Sequence, residues 1–259
     1  MNNACLGLIH ASKQNTWENM ASDCLKSIDV VVLAGGLGTR LSPVLRDKPK
    51  ILAPIGKRPY IVFLLSWLKN FGARRVIFGL GHLAGAVSDY LEANVTDDFE
   101  ISVVIEEKPL GTAGAITNLR SEIRTNPVVI MNGDSFVEAD LCKFVAFHQR
   151  EKADVSILCT KVPDAGRFGV VKIDGDNRIV EFQEKNAYVG EGMINAGIYL
   201  FDPNLLVEIS KSGPSLEKDF FPNQPIGRLI AMSGQYNFLD IGTPLDLARA
   251  PDILGKYYN

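Results

Sequence analysis

Apolar runs and amphipathic stretches alternate along the chain from about residue 29 to residue 134. β-Branched, mostly uncharged runs predict buried strands, and apolar residues at helical spacing predict helices, one of which starts at Pro59 and ends at Gly72. The predicted strands are residues 30–34, 74–81, 101–107 and 127–134, and the predicted helices are residues 59–72, 85–95 and 113–123. Because helices separate successive strands, the pattern predicts an α/β fold with a doubly wound, mostly parallel, Rossmann-like sheet and helices on both faces.

The second part of the chain is richer in strand-like runs. Residues 153–162, 169–185 and 195–203 are predicted strands, and the DGDN turn at 174–177 divides the middle run into a hairpin. We expect a small β-rich portion built onto the same sheet. No Pro/Gly/Ser-rich linker and no repeat interrupts the chain, so residues 29–259 are predicted to form one domain, with halves at 29–150 and 151–259.

The first 28 residues differ from the rest of the chain. Apolar residues recur at helical spacing from Thr16 to Ser27, which predicts an amphipathic helix in an N-terminal extension spanning residues 1–28. A helix that packs on its own domain is favoured over one that binds a partner.

Composition and charge exclude several classes of protein. Hydrophobic residues make up 46% of the 259, enough for a substantial core, and the apolar runs stop at about 8 residues, far short of the roughly 20 that span a bilayer. The formal net charge of −3 argues against general nucleic-acid binding, which usually needs a basic face. We therefore expect neither a nucleic-acid nor a membrane partner.

The cysteines and histidines indicate no zinc site. The four cysteines form no CxxC pair, and the three histidines are well separated. Four scattered cysteines in an ordinary composition suit a reducing cytoplasm, and the N-terminus lacks a basic region followed by an apolar core. These features lead us to expect a cytoplasmic protein.

Three glycines follow the first predicted strand. Gly35, Gly36 and Gly38 precede Arg40, and Lys50 lies ten residues further on. Freely turning backbone amides can cradle phosphate oxygens, and arginine can bind them with two hydrogen bonds. Neither familiar phosphate loop matches: GxGxxG would need a small residue where a leucine stands, and GxxxxGK[ST] does not occur. Taken alone, the segment fits a tight turn with a surface arginine as well as it fits an anion site.

Two aspartates strengthen the case for an anion site. Asp134 ends the predicted strand 127–134, and Asp240 follows an apolar pair in the string FLDIGTP. Ligands of open α/β sheets bind at the carboxyl ends of strands, and Mg²⁺ prefers few protein carboxylates together with substrate phosphates. Each aspartate alone would more often be a cap or turn residue. With the glycine turn, the pair predicts a Mg²⁺–triphosphate site.

Several strings together resemble the sugar-1-phosphate nucleotidyltransferase family over residues 29 to about 250. They are LAGGLGTRL with KPK (33–50), PLGTAGA (109–115), NGD (132–134), FQEK (182–185), NAGIY (195–199) and DIGTP (240–244). The resemblance implies the fold of that family, a doubly wound sheet with a small sugar-binding portion. It also implies the reaction of a nucleoside triphosphate with a sugar 1-phosphate, which releases pyrophosphate.

The resemblance also implies roles for individual residues. The implied nucleotide-binding residues are Leu33, Gly35, Gly36, Gly38, Thr39, Arg40, Gly111 and Asp134, and the implied sugar-phosphate-binding residues are Gly169, Glu184, Lys185 and Asn195. Arg40, Lys50 and Lys185 would supply the catalytic positive charge, and Asp134 and Asp240 would hold Mg²⁺.

Substrate choice rests on the same resemblance. The PLGTAGA turn and the overall length are most similar to the branch that transfers a guanylyl group from GTP to D-glycero-α-D-manno-heptose 1-phosphate. Mannose 1-phosphate, uridylyl transfer to an amino-sugar or muramate phosphate, and a non-catalytic subunit that binds nucleotide sugar stay open as alternatives. Retention of Arg40, Lys50 and both aspartates favours catalysis. The implied product would serve lipopolysaccharide or capsule synthesis, and homo-oligomers are common in the family.

Overall fold

The computed structural model describes residues 23–36, 38, 41, 45, 48–94, 98–183 and 190–257. The strands are β1 (Val30–Ala34), β2 (Pro54–Ile55), β3 (Arg58–Pro59), β4 (Arg75–Leu80), β5 (Glu100–Ile105), β6 (Val128–Asn132), β7 (Ser135–Val137), β8 (Val155–Val162), β9 (Val170–Ile173), β10 (Ile179–Gln183), β11 (Gly192–Phe201), β12 (Leu229–Gly234) and β13 (Phe238–Asp240). The α-helices are α1 (Tyr60–Lys69), α2 (Ala84–Asn94), α3 (Gly111–Asn118), α4 (Leu141–Glu151), α5 (Leu206–Ile209) and α6 (Pro244–Leu254). None of the helices in these described stretches combines the length and the apolarity needed to cross a membrane.

Nine of the described strands form one sheet. Its main path runs β10-β9-β11-β6-β1-β4-β5, with β8 paired to β11 and β12 paired to β8. The block β6-β1-β4-β5 is parallel, and β11 joins it antiparallel to β6. The predicted doubly wound parallel sheet is thereby confirmed, and the strand-rich second part extends the same sheet, as the pattern predicts.

The core lies on both faces of the parallel block. Val30 and Val32 point into a cluster with α1, α2, α4 and α6, whereas Val31 points into a cluster with α3 and α5 on the opposite face. All three valines are fully buried. Burial of the first three positions on both faces, with Leu33 and Ala34 partly buried at the cavity, explains why β1 is an unbroken apolar run.

The predicted N-terminal helix is wrong for the residues that can be compared. Residues 23–27 form turns, and β1 begins soon afterwards at Val30. Residues 16–22 of that prediction lie outside the described residues.

Helix α4 and the short pair β7–β13 were not among the predicted elements. Asp140 caps α4, its carboxylate accepting hydrogen bonds from the backbone N–H of Cys142 and Lys143 at 2.9 and 3.0 Å. β7 and β13 each have three residues, too few to show an alternating pattern. Their pairing nevertheless builds one wall of the cavity that holds the candidate site.

A disulfide joins Cys24, just before β1, to Cys142 in the first turn of α4. Such bonds form mainly in oxidising compartments, so the pair departs from the expectation of scattered reduced cysteines. The sequence separation of 118 residues gave no sign of this contact. Cys159 remains a buried free thiol, and cytoplasmic location stays a prediction.

Candidate active site

A cavity of about 530 Å³ opens at the carboxyl ends of the parallel strands. The predicted site residues that line it are Leu33, Gly35, Gly36, Lys50, Gly111, Asp134, Gly169, Asn195 and Asp240. Residues predicted for the nucleotide and residues predicted for the sugar phosphate therefore share one cavity. Thr39, Arg40, Glu184 and Lys185 lie outside the described residues.

The glycine turn after β1 passes close to the neighbouring strand end. A Cβ atom on Gly81 would lie 2.6 Å from the carbonyl oxygen of Gly35, and a Cβ atom on Gly35 would lie 3.0 Å from Glu106 Oε1. Real Cβ contacts are essentially never as short as 2.6 Å, so the turn lies this close to Gly81 only because that residue is glycine, whereas a Cβ atom on Gly35 would need only a small shift of the flexible Glu106 side chain. Close packing thus holds the backbone of the turn against the end of β4.

Lys50 reaches the cavity from a short 3₁₀ turn. Its Nζ lies 3.0 Å from Asp134 Oδ2, and the lysine side chain is only 15% exposed. Gly38 has a φ of +63° and packs on the aliphatic stem of Lys50, where an added Cβ would lie 3.3 Å from Cγ. Gly38 therefore supports Lys50 without itself lining the cavity.

The β7–β13 pair brings the two predicted metal aspartates to the same place. Asp240 is in register with Ser135, and the backbone N–H of Ile241 donates to the carbonyl oxygen of Asp134 at 2.8 Å. On the other side, the N–H of Gly133 donates to the carbonyl oxygen of Leu33 at 2.8 Å. Asp134 is thus fixed between the glycine turn and β13 by backbone hydrogen bonds.

Tyr60 lies beneath this aspartate pair and was not among the predicted site residues. Its hydroxyl donates to the carbonyl oxygen of Ser135 at 2.9 Å, and its side chain is fully buried. Burial raises the pKa of the Tyr60 phenol well above its usual value, and the charges of Asp134 and Asp240 raise it further. The phenol therefore stays protonated and remains a hydrogen-bond donor to the backbone that carries Asp134.

Arg167 is a second residue that sequence reasoning missed. Its Nη2 lies 3.0 Å from Asp246 Oδ2 and 3.8 Å from Asp240 Oδ2. Thr243 caps α6 and donates its hydroxyl to the same oxygen of Asp246 at 2.7 Å. Arg167 thus places positive charge beside Asp240 from the loop that leads to Gly169.

Glu106 and Gly111 bound the cavity at the turn before α3. Gly111 has a φ of +73°, and a Cβ atom there would clash with the carbonyl oxygen of Pro214. Glu106 Oε2 accepts a hydrogen bond from the backbone N–H of Leu110 at 3.2 Å. Partial burial raises the pKa of Glu106, although that hydrogen bond opposes the shift. Glu106 was not among the predicted site residues.

Asn195 lies at the opposite end of the cavity, on β11. Its amide Nδ2 donates to the hydroxyl of Tyr199 at 2.8 Å, and its Oδ1 accepts from the backbone N–H of Gly197 at 2.9 Å. Gly169, whose φ is +79°, lines the same end. The Asn195 amide is therefore held in one orientation with part of its hydrogen-bonding capacity left for a ligand.

The charged groups suit a metal that takes phosphate ligands. No group of three or more His, Cys, Asp or Glu side chains that could enclose a metal ion occurs among the described residues. Asp134 and Asp240 instead give two carboxylates on one cavity wall. Mg²⁺ is commonly bound by one or two carboxylates together with substrate phosphates, so this donor set fits it.

Comparison with known proteins agrees with the fold. A model of the Nucleotidyl transferase family matches residues 29–254. The D-glycero-alpha-D-manno-heptose 1-phosphate guanylyltransferase of Aneurinibacillus thermoaerophilus is 33% identical over 236 residues, which cover 89% of this chain and 100% of that protein. The mannose-1-phosphate guanylyltransferase of Mycobacterium tuberculosis is also 33% identical, over 226 residues that cover 86% of this chain but only 63% of that protein.

Solved structures give the same result. HddC from Yersinia pseudotuberculosis has a TM-score of 0.79 and 33% identity, covering 87% of this chain and 99% of that one. The same protein complexed with GMP-PN has a TM-score of 0.78 and 32% identity. Because the family model matches residues 29–254 and the Aneurinibacillus relative is covered over its full length, the chain belongs to the Nucleotidyl transferase family.

Proposed function

We propose that the protein transfers a guanylyl group from GTP to a sugar 1-phosphate, most directly D-glycero-α-D-manno-heptose 1-phosphate, and releases pyrophosphate. The observation that carries this proposal is the convergence of Lys50, Asp134 and Asp240 in a cavity that extends from the glycine turn to Asn195. Full coverage of the Aneurinibacillus heptose enzyme, against 63% of the mycobacterial mannose enzyme, favours the heptose phosphate.

This reaction depends on positive charges that offset phosphate repulsion and on the alignment of the two substrates, and it needs no proton transfer to a general base. A sugar phosphate is already anionic at neutral pH, so it attacks the α-phosphate of GTP without a general base. The obstacle is the approach of two anions in line, which fixed positive charges overcome. Lys50, 3.0 Å from Asp134, would lie between the two phosphates and offset their repulsion. Arg40 and Lys185 stay predictions of the same kind.

Asp134 and Asp240 would hold Mg²⁺. When bound, Mg²⁺ supplies positive charge to the phosphate oxygens and helps to align them. The backbone hydrogen bond from Ile241 to Asp134 and the in-register pairing of Asp240 with Ser135 would keep the two carboxylates at a fixed separation.

Glu106 supports guanine as the base. The edge of guanine carries two adjacent donors, its N1–H and its 2-amino group, and a carboxylate can accept from both. A carboxylate opposite uracil or thymine would face carbonyl oxygens on either side of the single N–H donor, which is unfavourable. Glu106 lies beside Gly35 and the turn before Gly111, where the base or ribose is expected. With Oε2 bonded to Leu110, the carboxylate has a defined orientation toward the cavity.

Mannose 1-phosphate is the second candidate substrate. The 33% identical mycobacterial relative is named for it, and the two sugars differ chiefly at one end. The described cavity walls would accept either phosphate group in the same way.

Pyrophosphate release with Mg²⁺ tests the proposal. Four ribonucleoside triphosphates and dTTP should be combined with heptose, mannose, glucose and N-acetylglucosamine 1-phosphates. The highest kcat/KM is expected for GTP with the heptose phosphate. Turnover of another pair would keep nucleotidyl transfer and change the substrate, whereas GTP binding without turnover of any pair would favour a non-catalytic subunit.

A further inference from the structure

Glu217 lines a part of the cavity wall that the proposed reaction does not use directly. It lies in a π-helical turn, Leu216–Phe220, that packs against the N-terminal end of α3. The backbone N–H of Ala113 donates to the carbonyl oxygen of Pro214 at 2.9 Å, which fixes this turn on the helix. Glu217 thereby stands between the end of the cavity at Gly111 and the end at Asn195.

Three hydroxyl groups converge on the Glu217 carboxylate. Its Oε2 lies 2.8 Å from Thr112 Oγ1 and 3.0 Å from Ser215 Oγ, and its Oε1 lies 3.2 Å from the Tyr199 hydroxyl. Thr112 adjoins Gly111 at the nucleotide end, and Tyr199 bonds Asn195 at the sugar end. One side chain therefore connects both ends of the cavity.

The direction of every hydrogen bond in this network is fixed. The hydroxyls of Thr112, Ser215 and Tyr199 each accept an N–H, from Leu216 at 2.9 Å, Lys218 at 3.2 Å and the Asn195 amide at 2.8 Å respectively. Each hydroxyl can therefore donate a hydrogen bond to Glu217, whose carboxylate oxygens accept it. The Asn195 amide directs Nδ2 toward Tyr199 while its Oδ1 accepts from the N–H of Gly197, so both contacts hold the same amide orientation.

We propose that Glu217 is a positioning residue that, together with the Gly197 N–H, holds the orientation of the Asn195 amide, acting through Tyr199, and that holds the turn at Gly111 through Thr112. Glu217 thus connects the two substrate subsites through one chain of hydrogen bonds. This inference rests on the proposed function, because it takes the Gly111 end as the nucleotide subsite and the Asn195 end as the sugar-phosphate subsite. Burial alone does not account for the arrangement: the Tyr199 ring packs against Phe201 and Phe221, contacts that a phenylalanine would keep.

Three variants separate the two arms of the network. Tyr199→Phe removes the arm to Asn195 and should raise the KM for the sugar phosphate about tenfold while the KM for GTP changes less than about twofold. Thr112→Val removes the other arm and should raise the KM for GTP several-fold with little effect on the sugar phosphate. Glu217→Gln keeps the size but places an amide NH₂ group where an acceptor is needed, so both KM values should rise.

A control variant, a double variant and binding measurements distinguish an effect of the Glu217 network from an unspecific effect of the substitutions. Glu208→Gln makes the same chemical change on α5, where Glu208 bonds Arg228 away from the cavity, and should leave both KM values unchanged. A Tyr199→Phe/Glu217→Gln double variant should have nearly the sugar-phosphate KM of Glu217→Gln alone, because the two changes act through one path. Dissociation constants of GTP and of the sugar phosphate should follow the same pattern.

The inference is overturned if Glu217→Gln lowers only the melting temperature and leaves both KM values and both dissociation constants within about twofold of the wild type. It is also overturned if Tyr199→Phe weakens GTP and the sugar phosphate equally. Absence of wild-type turnover with any substrate pair would instead refute the proposed function, and the dissociation constants would still decide the role of Glu217.

Discussion

The contact between Gly81 and the glycine turn permits a quantitative test of how the turn is held. A Cβ atom at Gly81 would lie 2.6 Å from the carbonyl oxygen of Gly35, against an ordinary contact of 3.4 Å or more. Gly81→Ala therefore requires the turn and the end of β4 to separate by about 0.8 Å, since repulsion rises steeply below contact distance. Overpacking of this kind typically costs about 1–3 kcal/mol of the free energy of unfolding.

Gly81→Ala should also lower the rate of catalysis, by a free energy similar to the loss of stability. Gly35 and Gly36 line the cavity at the predicted triphosphate site, and a shift of about 1 Å in a positioning group can lower the rate about 100-fold. We expect Gly81→Ala to lower kcat/KM for GTP between about tenfold and 100-fold. Urea unfolding gives the stability change, and pyrophosphate release gives the kinetic change at a temperature where the variant is folded.

Gly85, four residues after Gly81, offers a matched glycine-to-alanine control. It lies near the start of α2, where an added Cβ has no neighbour within 4 Å. Gly85→Ala should keep kcat/KM and gain up to about 1 kcal/mol of stability from helix propensity. The steric explanation is refuted if Gly81→Ala retains wild-type stability and kinetics, or if Gly85→Ala loses as much activity as Gly81→Ala.

Five further substitutions test other parts of the site. Asp134→Asn and Asp240→Asn should each lower kcat by orders of magnitude and raise the Mg²⁺ concentration needed for half-maximal rate; near-normal rates in either would remove that aspartate from the metal site. Glu106→Gln should reduce the ratio of kcat/KM for GTP to that for UTP by about tenfold or more, because one acceptor becomes a donor; an unchanged ratio would contradict base recognition by this carboxylate. Tyr60→Phe should cost about 1–3 kcal/mol in urea unfolding by leaving a buried carbonyl oxygen without its donor, and equal stability would show that water replaces the hydroxyl. Lys185→Ala should raise the KM for the sugar phosphate with little effect on GTP, and an unchanged sugar-phosphate KM would exclude the predicted contact.

The parallel half of the sheet could be predicted because its strands carry strong local signals. β1 and β4 are buried on both faces and appear as continuous apolar runs, and α1 starts after a proline and ends before a glycine. Helix α4 also has recognisable signals, a capping Asp140 and apolar residues at helical spacing, and could have been assigned from them. Local periodicity therefore accounts for most of this half.

The residues of the site are harder to predict from local sequence patterns. The strands that bring Asp134 and Asp240 together have three residues each, and their pairing joins segments about a hundred residues apart. Tyr60, Arg167 and Glu217 act through tertiary hydrogen bonds, and none of these contacts produces a sequence pattern. The resemblance to a family could point to the aspartates, but residues that support them become visible only in three dimensions.

The same long-range pairing explains why the two substrates can react at one place. Strand β11 is antiparallel to β6 along Ile198–Phe201 and reaches β9 at Ile194, so one strand, with a register shift between Asn195 and Tyr199, connects the half that contains the parallel block to the β-rich half. β13 returns in the opposite sense and places Asp240 beside the strand that follows Asp134. Residues from both halves are therefore held by shared backbone ladders, and neither half contains both carboxylates. In-line transfer between two anions depends on such fixed spacing, because the charges that offset their repulsion act only at short range in water.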